Sequence, residues 1–132
     1  MLIHTDYGDI ETIPQADDIF RVVPQTEAEV KELMRKGALI AYMRHRCVKC
    51  EATIRKLKLG NLDKLLRVAE ERKVDLVYLD CSANQFYGFA DFMMIDVIST
   101  LALYKNGEEL ARQMVFPSAD DLADLIEQHF PV

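Results

Sequence analysis

The sequence predicts an α/β fold with a central mixed β-sheet and helices on both of its faces. Three observations predict it. Apolar runs of strand length alternate with segments whose apolar residues recur at helical spacing. One run, Ala38-Leu39-Ile40-Ala41-Tyr42-Met43, is almost wholly apolar, as suits a strand covered on both faces. Near the C-terminus two strand-like runs flank Asn106-Gly107. That dipeptide supplies the positive φ angles of a tight hairpin, so at least one strand pair is antiparallel.

The bulk properties agree with one folded domain. A chain of 132 residues, 50% hydrophobic, can bury a real core. No apolar run approaches the roughly 20 residues that span a bilayer, so no membrane partner is expected. The N-terminus lacks the basic start and apolar block of a secretory signal, and it is acidic where transit segments are Arg-rich. A net charge of −6 argues against general nucleic-acid binding. Three cysteines, an odd number, do not suit a secreted disulfide framework and point to a reducing, cytoplasmic setting.

Residues 1–18 are polar and acidic, interrupted by Pro14, and read as an N-terminal extension to a domain spanning 19–132. Ile19 to Val23 is a short strand candidate closed by Pro24. Thr26-Glu27-Ala28-Glu29 has the form of a capping box and opens a helix through Lys36, with Gly37 placed to stop it. Ala38 to Met43 follows as a buried strand. The next helix turns Ile54, Leu57 and Leu59 inward and breaks at Gly60-Asn61, where Asn61 can cap a second segment. In that segment Leu62, Leu65, Leu66 and Ala69 fall at i, i+3, i+4, i+7.

Leu76 to Leu79 is another buried-type strand, and Asn84 to Met94 a short helix weakened by Gly88. Phe86, Phe89, Phe92, Met93 and Met94 read as its core face. The hairpin strands are Thr100–Tyr104 and Leu110–Phe116, and Ser118 caps a last helix through about Phe130 that buries Leu122, Leu125 and Ile126. The resulting order is βαβαβαββα.

The chemistry is concentrated in Arg44-His45-Arg46-Cys47-Val48-Lys49-Cys50, between the buried strand and the helix that follows. A CxxC at such a junction puts its first sulfur where unpaired helix N–H groups and the positive end of the helix dipole favour an anion. Thiolate is the reactive form of cysteine, and the flanking Arg44, Arg46 and Lys49 favour it too. Cys47 is the candidate attacking thiolate. Cys50, one turn on, is the candidate resolving thiol. The basic patch of Arg44, His45, Arg46 and Lys49 is expected to select an acidic partner or a glutathione-like anion, or to be a solvated cluster.

This order of elements, with a CxxC opening the second helix and a terminal hairpin, resembles the thioredoxin family over about Ile19 to Phe130. Two places carry the resemblance: Ala38–Met43 running into Cys47-Val48-Lys49-Cys50, and Ile98-Ser99-Thr100-Leu101-Ala102-Leu103-Tyr104-Lys105-Asn106-Gly107-Glu108. It implies a thioredoxin-like fold and thiol–disulfide exchange with a protein disulfide, without a cofactor or resident metal. It also implies a substrate groove at Ile98 and Ser99.

The sequence departs from the family in named places. Val48-Lys49 stands where Gly-Pro is usual, and Arg46 replaces the aromatic residue before the first cysteine. Ser99 falls on the family's cis-proline. A non-proline cis bond costs about 3 kcal/mol, so a trans Ile98–Ser99 bond and an altered groove are expected. Ala41 falls on the buried acid that helps the second cysteine lose its proton. The segment around Leu59–Leu62 is longer.

Cys81, just after the third strand, falls near the CxxC surface by the same alignment. It is a possible third thiol or a buried structural cysteine. Three functions stay open on the sequence. One is a partner-specific thiol–disulfide oxidoreductase. The second is a non-enzymatic thioredoxin-like binding or assembly subunit. The third is a metal or iron–sulfur protein using His45, Cys47, Cys50 and Cys81.

Overall fold

The computed structural model describes residues 2–5, 8–11, 16–44, 46–114 and 116–131, the first two segments by backbone alone. Strands β1 (Leu2–Thr5) and β2 (Gly8–Glu11) form an antiparallel ribbon that is a sheet of its own. A 3₁₀ turn at Ala16–Asp18 follows, and Ala16 is buried in the main core, so the core begins ahead of residue 19.

The strand expected at Ile19–Val23 is reduced to one parallel bridge. Val22 donates its N–H to Leu76, and its carbonyl accepts from Tyr78 at 2.9 Å. The reason lies just upstream. The N–H groups of Ile19 and Phe20 both bond back to the Ala16 carbonyl, which prolongs the turn and drives both side chains fully into the core.

Helix α1 (Glu27–Lys36) begins at Thr26, whose hydroxyl accepts from the Glu29 N–H, while the Glu29 carboxylate accepts the Gln25 N–H. Gly37 ends it at φ 132°, a conformation reserved for glycine, with the ring of Phe130 filling the space a Cβ would need. Strand β3 (Ala38–Met43) runs parallel to β4 (Asp75–Asp80) and antiparallel to β5 (Thr100–Lys105), which pairs with β6 (Glu108–Gln113). The strand order is β4-β3-β5-β6. The hairpin turn is Asn106-Gly107, with φ of 55° and 80° as the sequence required. The register shifts at Leu103/Tyr104, and β6 starts directly after the turn and stops at Gln113 instead of running from 110 to 116.

Between β3 and β4 lie α2 (Val48–Leu59) and α3 (Leu62–Glu71), separated at Gly60-Asn61, with Asn61 capping the Lys64 N–H. The stretch expected as one helix over 84–94 is a 3₁₀ turn at Asn84–Phe86 and a single turn α4 (Phe89–Phe92). Gly88, left-handed at φ 76°, divides them. Phe86 and Phe89 are core, whereas Phe92 and Met94 are exposed. Helix α5 (Ala119–His129) opens with a full capping box between Ser118 and Asp121.

Alternation along the strands sorts the core into two layers. Leu39, Ala41, Met43, Leu76, Tyr78, Leu101 and Leu103 meet the buried residues of α2, α3 and α5 on one face. Ala38, Ile40, Tyr42, Val77, Leu79, Ala102 and Tyr104 meet α1 and the Phe86–Ile95 segment on the other. Leu59 is a correction to the helical reading: at the last turn of α2 it is 89% exposed, because the chain leaves the core toward Gly60 there.

Candidate functional site

Cys47 is the N-cap of α2. Its backbone is extended, its carbonyl accepts the first helical bond from Glu51, and its sulfur accepts the Cys50 N–H at 3.2 Å. The sulfur therefore does what a serine or threonine oxygen does at other helix starts. An anion on the same atom would keep that hydrogen bond and meet the positive end of the helix dipole. Cys47 and Cys50 are joined in a disulfide, with Cα atoms 5.2 Å apart. Cys50 is wholly buried while Cys47 keeps 7% of its surface, so solvent reaches the pair at the Cys47 side alone. The first sulfur was expected at an exposed helix start. It is at the helix start, but nearly covered, because strand β3 delivers it onto the core layer shared with Ala41 and Met43.

Both residues between the cysteines are exposed, Val48 by 82%. Arg44, Arg46 and Lys49 are exposed around it, and Arg46 adopts a left-handed φ of 54° immediately before the cap. His45 lies outside the described residues.

Two further segments reach the same end of the sheet. The Cys81 N–H donates to the Met43 carbonyl at 2.8 Å, and the Ser99 N–H donates to the Tyr42 carbonyl at 2.8 Å. Thus Cys81, leaving β4, and Ser99, entering β5, both flank the strand end that leads to Cys47. The structure has no cis peptide bond among the described residues, so the Ile98–Ser99 bond is trans, as expected. Ser99 itself is buried with a left-handed φ of 76°. Nothing in the sequence signals that strain. Ile98 is half-buried against the core layer that holds the two cysteines.

Cys81 is half-buried and carries a free thiol. Burial, and next the charge of Asp80, push that thiol up to about 12, so it is held protonated. Among the described residues no three His, Cys, Asp or Glu side chains converge as a metal-binding group. Ala41 occupies the core layer with Cys50, and no Asp or Glu is buried among the described residues. Tyr78, opposite Ala41 in the β3–β4 register, is in that layer too, a position the sequence reading took only as strand.

Comparison with solved structures settles the architecture. A mutant thioredoxin from Halobacterium salinarum superposes with a TM-score of 0.64 at 20% identity, over 84% of this chain and 91% of that one. The chain has the thioredoxin fold. Thioredoxin O2 from Arabidopsis thaliana, in its oxidised state, matches with a TM-score of 0.62 at 16% identity, over 83% of this chain and 93% of that one. Chlamydomonas reinhardtii thioredoxin f2 matches at 0.60 and 20% identity, over 84% and 96%. No family model and no curated protein sequence matches the chain. On the thioredoxin fold the Cys47–Cys50 pair opens a helix at the C-terminal end of the sheet's parallel strands, with Cys81 and Ser99 beside it. Among the described residues no helix is long and apolar enough to cross a membrane.

Proposed function

We propose that the protein is a thiol–disulfide oxidoreductase that works on a disulfide in an acidic protein partner. The observation that carries this reading is the Cys47 sulfur capping the Cys50 N–H at the start of α2. In the reduced protein the Cys47 thiolate attacks one sulfur of the substrate disulfide. A mixed disulfide forms, and the other substrate sulfur leaves as a thiolate that takes up a proton. The Cys50 thiolate then attacks Cys47. The Cys47–Cys50 bond forms, the mixed disulfide breaks, and the second substrate sulfur leaves and is protonated. Two electrons pass to the substrate, and the protein ends as the disulfide described above.

Exposure supports the division of roles, since only Cys47 has an open side. Arg44, Arg46 and Lys49, with His45 between them in the chain, supply a basic rim around exposed Val48, which favours an approaching acidic segment. Ile98 and Ser99 form the other lip. A dithiol that cycles, together with a free Cys81, suits a reducing compartment such as the cytoplasm. Two observations favour a second reading, a thioredoxin-fold binding module whose disulfide does not turn over. They are the lack of a buried carboxylate near Cys50 among the described residues and the left-handed Ser99.

One experiment separates the two. The oxidised protein is equilibrated with reduced and oxidised glutathione, and Cys50→Ser is used to trap partners from the reduced state. A reversible Cys47–Cys50 couple and a trapped mixed disulfide through Cys47 support the enzyme. A pair that stays oxidised or reduced at every glutathione ratio refutes it.

A further inference from the structure

The Tyr78 side chain is 1% exposed, and among the described residues no group hydrogen-bonds its hydroxyl. Four other buried hydroxyls have partners. Tyr42 and Tyr104 share a hydrogen bond of 2.6 Å on the opposite face of the sheet, Thr53 donates to the Lys49 carbonyl, and Thr100 to the Val97 carbonyl. A buried donor with no acceptor is costly, and such a group calls for an explanation.

Its surroundings supply one. Tyr78 lies beside Ala41 in the register and shares the core layer of Cys47 and Cys50. Tyr78 stands two residues before the end of β4, and the Cys81 N–H just beyond it bonds to the Met43 carbonyl, so this strand end runs beside the one that leads to Cys47. No buried Asp or Glu competes for the space among the described residues.

We infer that the Tyr78 hydroxyl is a hydrogen-bond donor to the Cys50 sulfur of the reduced protein, directly or through one water. The inference rests on the Cys47/Cys50 exchange proposed above. Reduction of the disulfide by two glutathione thiols breaks the Cys47–Cys50 bond, delivers two electrons and two protons, and releases one glutathione disulfide. It leaves on Cys50 a sulfur that accepts a hydrogen bond, strongly as thiolate and more weakly as thiol. The orphan donor of the oxidised state thereby gains its acceptor in the reduced state. Tyr78 would then bias the couple toward the dithiol and help Cys50 to act as an anion where Ala41 offers no carboxylate.

The test uses the full chain and its Tyr78→Phe variant, which removes only the oxygen. Tyr104→Phe serves as a control that loses a buried hydroxyl on the far face. Each is equilibrated with glutathione redox buffers at neutral pH, quenched, alkylated and counted by mass. Tyr78→Phe is expected to need about a tenfold more reducing ratio, equivalent to about 30 mV for a two-electron couple. Tyr104→Phe should stay within about twofold of the parent, and Tyr78→Leu should move in the same direction as Tyr78→Phe. Coincident curves for the parent and Tyr78→Phe, or an equal shift in Tyr104→Phe, overturn this role while leaving the Cys47/Cys50 exchange standing. A parent protein with no reversible couple overturns both.

Discussion

Consider alkylation of Cys81 in the oxidised protein, where it is the free cysteine. Burial and Asp80 raise its thiol from 9.0 to about 12. Below both values the thiolate fraction is then about a thousandfold smaller than for an ordinary cysteine. A more basic thiolate is also a better nucleophile. With a Brønsted slope of about 0.4–0.5, that recovers part of the loss and leaves the native thiol roughly 30- to 60-fold slower. Half-burial of the side chain slows it further. The assay is iodoacetamide labelling followed by mass spectrometry, native against urea-unfolded, at matched pH. The ratio should hold across neutral pH and narrow only once the unfolded thiol ionises, near 9. A native rate within a few-fold of the unfolded rate refutes the reasoning, because it would mean that neither burial nor Asp80 holds this sulfur protonated. The linked stability effect has a definite sign. Folding favours the neutral thiol, so stability is unaffected below about 9 and falls as pH rises from there toward 12.

Ser99→Pro should lose about 3 kcal/mol or more, because proline fixes φ near −65° and cannot donate to the Tyr42 carbonyl, whereas Ser99→Gly should be neutral to about 1 kcal/mol more stable. Urea midpoints decide, and a Ser99→Pro protein as stable as the parent would contradict the left-handed geometry. Ser118→Ala should cost about 1 kcal/mol by removing the α5 cap. Hydrogen bonds from the Ser118 N–H and then from its side chain hold the Asp121 carboxyl below its ordinary 3.8, so this stabilisation is full above that value and lost as pH falls below it. A melting profile for Asp121→Asn with an undiminished acid loss would argue against that origin. Arg72→Met should destabilise by about 1–3 kcal/mol, since the guanidinium donates to the Glu127 and Phe130 carbonyls at the end of α5; an unchanged melting temperature would count against it.

The sequence was most readable where a structure is decided by its own few residues. Thr26 with Glu29, Gly37, Asn61, Asn106-Gly107 and Ser118 each set a helix end or turn through local hydrogen bonds or φ alone, and each sits where expected. The two-sided apolar run of β3 likewise announced a central strand. What local chemistry could not announce was decided by tertiary packing. Ile19 and Phe20 have strand-like side chains, yet a turn that folds them under the sheet leaves only Val22 to pair. The ribbon at residues 2–11 carries no alternation strong enough to read. In the site, the helix start at Cys47 was legible from CxxC after an apolar run. The left-handed Ser99 and the unpaired Tyr78 hydroxyl were not, because neither a buried φ nor a missing acceptor leaves a mark on residue type.

The hairpin has one more consequence, for how this molecule meets its neighbours. Strand β6 is the last in the sheet and so offers free backbone groups along its outer side, the surface on which copies of a protein can zip together. Here that margin is defended. Glu108 and Glu109 are exposed along it, Arg112 is paired to Glu109 at 2.6 Å and also reaches over to the Met93 and Met94 carbonyls, and the irregularity at Leu103/Tyr104 bends the strand out of a flat template. An incoming strand would have to displace charges and straighten a kink before forming its first ladder bond. Encounters are thereby steered away from sheet extension and left to side-chain surfaces such as the one around Val48.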